Sequence, residues 1–420
     1  MVDASASLRH VKKGTASKLL SNLSFFKGGG GAKKRILVLM SDTGGGHRAS
    51  AQALDQAFQD QYPGKIDVQI MDIWTDHAQW PYNKFVPMYR YLAKRPLLWR
   101  GFYLWGMFPP TKLYTEVDSK RTSYNRFKRA MEDADPDFVV SVHPLCQLMP
   151  ISIVKEMNAK RAPGKVRIPF VTIVTDLGSA HSTWFDRRAD AIFVPSEEVL
   201  KIALQQGMPP GKILMKGLPI RPSFWKAALP KKTIRKTLGI PERVKTVLLM
   251  GGGDGVGKLG NIAVEVANNL QKLDMKSQLI VICGHNKKML TQLSEKLQPT
   301  ANLDVMIKGF VDNVDEFMTA SDCLITKAGP GTIAESMIRG LPLVISSYLP
   351  GQEYGNVPFV VNGGFGIYPG NNPKKIANTV SELVCFNDIR LATMSKVAKS
   401  LSHPDAVKTI AADIADVLLR

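Results

Sequence analysis

Apolar residues along this chain gather into short continuous runs instead of alternating with polar ones. The runs are Ile36-Leu37-Val38-Leu39-Met40, Phe138 to Val142, Phe170 to Val174, Ala191 to Pro195, Thr246 to Met250, Gln278 to Gly284, Val305 to Val311, Cys323 to Ile325 and Pro342 to Ile345. Strands buried on both faces of a parallel sheet have this composition. Between the runs, apolar residues recur at helical spacing, as in Ala49, Ala53, Leu54, Ala57 and Phe58, or Ile333, Ala334, Met337 and Ile338. Strand and helix in alternation predict an α/β fold of doubly wound, Rossmann-like sheets. At 420 residues the chain exceeds one ordinary core, so two such domains are expected. The stiff segment Gly217-Leu218-Pro219-Ile220-Arg221-Pro222 reads as the crossing between them. The division is then a basic leader over 1–34, a first domain over 35–222 and a second over 223–420. The last helix is a candidate for packing back on the first domain.

The polar positions that matter follow the strands. Ser41-Asp42-Thr43-Gly44-Gly45-Gly46-His47 is a glycine turn into a helix, with an imidazole at the helix start. The helix dipole is expected to keep His47 neutral and able to accept a proton. Gly251-Gly252-Gly253-Asp254-Gly255-Val256-Gly257-Lys258 approaches a P-loop in spacing, but Leu259 stands where a magnesium-holding Ser or Thr belongs. It reads as a glycine turn closing over a diphosphate. Thr326 to Glu335 is a third strand-to-helix turn, with Gly329, Pro330 and Gly331 leaving backbone N–H groups open to an anion. Gly331 and Thr332 begin its helix, and Glu335 is placed to accept hydrogen bonds from sugar hydroxyls. The loop Gly351-Gln352-Glu353-Tyr354-Gly355-Asn356 follows the next strand and adds Gln352, Glu353 and Asn356. His143, Asp176 and His181, at other strand ends, read as loop-orienting residues.

Charge changes the picture in one respect. The net charge is +19, and residues 1–35 carry eight basic side chains against Asp3 alone, leaving +12 on the rest. Such a field suits a polyanionic surface. No nucleic-acid-binding motif is present, so an anionic membrane is the expected partner. Between His77 and Thr115 there is no Asp or Glu. Trp80, Pro81, Tyr82, Phe85, Trp99 and Trp105 are threaded there with Arg90 and Arg100. Aromatic rings and cations without acids are what a lipid–water interface selects. The other reading is a helical insertion with a basic wet side. No apolar run is long enough to span a bilayer, so contact would be peripheral. The leader reads as a transit peptide or a bare basic tail. Cys146, Cys283, Cys323 and Cys385 lie far apart, with no CxxC pair, which argues against a disulfide framework or a zinc site.

Met40 to Ser50, Gly217 to Phe224, Thr326 to Glu335 and Gly351-Gln352-Glu353 together resemble the monogalactosyldiacylglycerol synthases, GT-B glycosyltransferases of family 28. The resemblance runs from about Arg35 to the last helix. It implies two domains facing across a cleft and inverting transfer of galactose from UDP-α-galactose to sn-1,2-diacylglycerol. It also implies a monotopic location on the plastid inner envelope and activation by anionic lipids such as phosphatidic acid and phosphatidylglycerol. On this basis His47 is the candidate base, and Arg221 a diphosphate-side arginine. Gly45, Gly46, Gly252, Gly253 and Asp254 face the donor. The backbone at Phe310 and Val311 takes the uracil, Glu335 the ribose, and Gln352 and Glu353 the hexose, with Asn356 a further donor-binding residue. Trp80, Pro81 and Trp184 match positions tied to anionic-lipid activation. The chain departs from the family at Asp254, where relatives carry Glu, at Gly178-Ser179-Ala180, and at Gln79. No cofactor or metal is required by these residues. A diacylglycerol glucosyltransferase, a sugar-nucleotide epimerase of the same fold, and a non-catalytic binding module are the alternatives.

Overall fold

The computed structural model describes residues 33–419 apart from 44–45, 94, 96–97, 100, 103, 105–107, 163–165 and 252–257. The reading of 1–34 as a leader therefore lies almost wholly outside the described residues. The chain divides into two compact units. One runs to Pro222 and takes back the segment from Asp405; the other is Ser223–Pro404.

The first unit is built on a six-stranded parallel sheet: β1 Lys34–Met40, β2 Ile66–Asp72, β3 Phe138–Ser141, β4 Phe170–Ile173, β5 Ala191–Val194 and β6 Ile213–Met215, in the order β2-β1-β3-β4-β5-β6. The final helix, Ala406–Leu418, belongs to this unit. Lys216 Nζ pairs with Asp413 at 2.9 Å, and Gln61 Nε2 donates to the Lys408 carbonyl at 3.2 Å. The second unit repeats the plan with β7 Lys245–Met250, β8 Ser277–Ile282, β9 Leu303–Lys308, β10 Cys323–Lys327, β11 Leu343–Ser347 and β12 Gly366–Ile367, in the order β12-β11-β10-β7-β8-β9. Its core gathers Val247, Leu249, Leu279, Val281, Ile325 and Val344 from the strands with Ile262, Val266, Ile376 and Val380 from covering helices.

Both strand orders reverse direction once. In the first sheet the reversal lies between β1 and β3, and in the second between β7 and β10. At such a point the connections leave to opposite faces, and a crevice opens beyond the strand carboxyl ends. The loops that leave these four strands are therefore where ligands belong. Among the described residues, no helix is long and apolar enough to cross a membrane.

Candidate functional site

The first unit's reversal point holds two imidazoles. His47 stands in the first turn of the helix Gly46–Gln61, after β1, and His143 follows β3. Both are buried, with ring centroids 4.4 Å apart in an edge-on arrangement. His47 Nδ1 lies 2.9 Å from the Val142 carbonyl and 2.8 Å from Thr175 Oγ1. A carbonyl can only accept, so Nδ1 carries the proton and Nε2 the lone pair. The converse holds at His143. Its Nδ1 accepts the Leu145 N–H at 3.1 Å, which leaves Nε2–H to donate to Thr43 Oγ1 at 2.9 Å.

Burial lowers the His47 pKa to about 4, against partial compensation from the Val142 hydrogen bond and the Asp42 charge. Burial and the neighbouring His47 hold His143 well below the ordinary range too. Both rings are thus neutral near pH 7. Desolvation is the leading cause, where the sequence pointed to the helix dipole.

Trp184 corrects another expectation. Instead of meeting lipid, it is fully buried in a cluster with Val174, Ile192 and Val194. Its indole N–H donates to Asp176 at 2.7 Å, and its ring lies 6.2 Å from His47. Trp99 is likewise turned inward, 5% exposed, with its ring 5.0 Å from Tyr89. Tyr82 is half-buried and donates its hydroxyl to Asp118 at 2.8 Å, while Phe85 is half-buried near Phe102. Trp80 and Pro81 are exposed, Trp80 at 72%. Arg100, Trp105 and the Arg90 side chain lie outside the described residues. The sequence reading missed how far the exposed apolar surface extends. Leu98, Leu104, Phe108, Leu113, Tyr114 and Val117 are each exposed as well, the last three on the helix Pro109–Ala134.

In the second unit, Gly252, Gly253 and Asp254 lie outside the described residues, as does Gly45 in the first. Gly331 and Thr332 are half-buried in the first turn of the helix Pro330–Arg339, which starts from Gly329. Glu335 is buried one turn further on. Glu353 is buried as well. One of its carboxylate oxygens meets the Lys327 ammonium, and the other accepts the Leu349 N–H at 2.9 Å. Asn356 Nδ2 donates to the Ala328 carbonyl at 2.8 Å, tying the loop after β11 to the turn after β10. Gln352 and Arg221 are half-buried. Phe310 is exposed, with its ring stacked on His285 at 4.4 Å, and Val311 is half-buried beside it. Lys327 and His285 are the residues that sequence reasoning missed. Lys327 stood inside the quoted turn without a partner that spacing could reveal. His285 follows the β8 run and touches Phe310 only because β8 and β9 are neighbours.

Comparison with known proteins fits this geometry. The monogalactosyldiacylglycerol (MGDG) synthase family matches residues 47–220, and the glycosyltransferase family 28 C-terminal domain matches residues 246–410. The chloroplastic monogalactosyldiacylglycerol synthase of Spinacia oleracea is 41% identical over 386 residues, covering 90% of this chain and 72% of the relative. The chain belongs to the monogalactosyldiacylglycerol synthase family. Monogalactosyldiacylglycerol synthase 1 of Arabidopsis thaliana is 39% identical over 382 residues, covering 90% of this chain and 70% of its own. In fold, this family member is similar to Acinetobacter baumannii MurG, with TM-score 0.58 at 15% identity over 90% and 98% of the two chains. It is also similar to the UDP-GlcNAc 2-epimerase of Neisseria meningitidis, with TM-score 0.56 at 14% identity over 92% and 99%. The architecture is that of GT-B glycosyltransferases.

Proposed function

We propose that this family member transfers galactose from UDP-α-galactose to the free hydroxyl of sn-1,2-diacylglycerol with inversion, giving a β-galactolipid. The observation that carries the chemistry is His47. Its Nδ1–H is committed to the Val142 carbonyl, so Nε2 offers a lone pair on a neutral, immobilised ring. In the reaction, Nε2 takes the proton of the acceptor hydroxyl as its oxygen attacks the anomeric carbon from the side opposite UDP. The C1–O bond breaks, and its electron pair leaves with the β-phosphate. The second unit holds the donor. Backbone N–H groups at the start of the helix Pro330–Arg339 offset the charge that develops on the diphosphate, and Arg221 remains a candidate for the same charge. Glu335 accepts from the ribose, and Gln352, Glu353 and Asn356 serve the hexose.

The acceptor comes from a bilayer. Trp80, Leu98, Leu104, Phe108, Leu113, Tyr114 and Val117 offer exposed apolar surface in a stretch rich in cations. That supports peripheral attachment to an anionic membrane, with phosphatidic acid or phosphatidylglycerol as activators. The chloroplastic relatives support the plastid envelope as the location.

The test offers purified protein diacylglycerol with UDP-galactose, then with UDP-glucose, and identifies the lipid product and the released UDP. Monogalactosyldiacylglycerol from the first donor alone is the expected outcome. A glucolipid moves the assignment to the glucosyl donor, and radiolabel that stays water-soluble moves it to an epimerase.

A further inference from the structure

The end of β10 is irregular. Pairing with β11 shifts register between Thr326 and Lys327, so that Lys327 comes to face Ser347. A register shift of this kind re-aims the side chain that follows it. Here it sends the Lys327 ammonium to Glu353 in the loop after the neighbouring strand. The Glu353 side chain is 8% exposed and that of Lys327 34%. Two more bonds hold the same loops together: Asn356 Nδ2 to the Ala328 carbonyl, and the Ala328 N–H to the Ser347 carbonyl, both at 2.8 Å. At Gly329, a Cβ would sit 3.4 Å from Lys327 Nζ and 3.8 Å from the Glu353 oxygen, so bare backbone borders the pair.

We propose that Lys327 is a positioning residue for hexose recognition. It holds the Glu353 carboxylate in one orientation, so that the carboxylate accepts two neighbouring hydroxyls of the transferred sugar. This rests on the proposed function, in which Glu353 serves the hexose. An ionised carboxylate has about four acceptor directions. One on each oxygen is taken, by Lys327 and by the Leu349 N–H, and one on each remains. Two remaining acceptors on one rigid plane match a vicinal diol. Without the ammonium, this buried carboxylate loses the charge-assisted hydrogen bond that orients one of its oxygens.

The experiment measures binding of UDP-galactose and of UDP by calorimetry for wild type, Lys327→Met, Lys327→Arg, Glu353→Gln and the Lys327→Met/Glu353→Gln double variant. In Lys327→Met, UDP-galactose affinity is expected to fall by about tenfold or more while UDP stays within about twofold, a loss typical of hydrogen bonds to charged groups. Lys327→Arg regains most of it. The double variant is no weaker than Glu353→Gln alone, because both changes remove one device. An unchanged UDP-galactose to UDP ratio in Lys327→Met overturns the proposal. So do a parallel loss for UDP and a double variant whose losses multiply. Should Lys327→Met not fold, Lys327→Gln provides the same comparison. Wild-type protein that binds UDP-galactose but makes no galactolipid removes the proposed function and leaves the binding ratio to judge Lys327.

Discussion

At the strand reversal of the first unit, two imidazoles are buried edge to edge, each wired to backbone or hydroxyl groups. At the corresponding end of the second sheet, a carboxylate is buried against an ammonium, between a helix start and a tied loop. One topological position is thus furnished in two ways. Neutral buried rings suit a group that gains a proton and then loses it. A fixed ion pair suits a group that must keep one orientation. Under the proposed function, the same burial would serve chemistry in the first unit and recognition in the second.

The contrast breaks most directly at His47. His47→Gln removes the lone pair while keeping much of the volume, and transfer should fall by about a thousandfold, as expected for loss of a general base. UDP affinity should not change. Equal losses in both would return His47 to the binding machinery. In wild type, kcat/KM should hold as pH falls and collapse only near 4, since the base works deprotonated and its pKa is lowered to about 4.

Stability should follow the same group. The folded pKa lies below the unfolded value of about 6.5, so between the two the unfolded chain binds more protons. Stability from His47 is therefore complete above about 6.5 and is lost as pH falls toward 4, by something of the order of 3 kcal/mol. His47→Gln should flatten the melting temperature between these limits. Some slope remains, because His143 is buried neutral as well.

Trp184 sharpens the comparison from behind. Its ring fills space beside His47, and its N–H is spent on Asp176. Trp184→Ala should cost about 3–5 kcal/mol of stability through the cavity it leaves. It should not alter binding of the folded protein to anionic vesicles. A vesicle-binding defect at unchanged stability would restore the lipid role.

These residues also show where the sequence stopped being readable. The central strands were legible because burial on both faces demands unbroken apolar runs. β2 was not, since Asp67 and Gln69 interrupt it, and β6 and β12 are too short to leave a pattern. The run ending at Val311 overshot, because β9 stops at Lys308 and leaves Phe310 to stack on His285. His47 in the first unit, and Glu335 and Glu353 in the second, were singled out as candidates from turns and from resemblance. What those signals lacked was direction. Nothing in the spacing reveals that His143 touches His47 across 95 residues of chain, or that Lys327 turns toward Glu353 at a shifted register. Both contacts arise from strand neighbours distant in sequence. An indole's composition likewise cannot distinguish Trp184, buried beside a carboxylate, from Trp80, open to solvent.

That last difference sets the smallest effect. Trp80 and Trp99 lie in one acid-free stretch and were given one role, yet the first is exposed and the second packs on Tyr89. If the exposed rings meet the bilayer, Trp80→Ala withdraws roughly 50 Å² of immersed apolar surface, about 1 kcal/mol at ~25 cal/mol/Å². Partitioning onto vesicles with phosphatidylglycerol should then weaken by about fivefold at unchanged melting temperature. Replacing Leu113, Tyr114 and Val117 with serine should extend the loss if the bilayer also meets their exposed helix face. Trp99→Ala should do the reverse, lowering the melting temperature while the folded fraction partitions as before. Equal partitioning of Trp80→Ala and wild type would move the membrane contact away from Trp80, since no other described side chain in the stretch combines that exposure with an interfacial ring of that size.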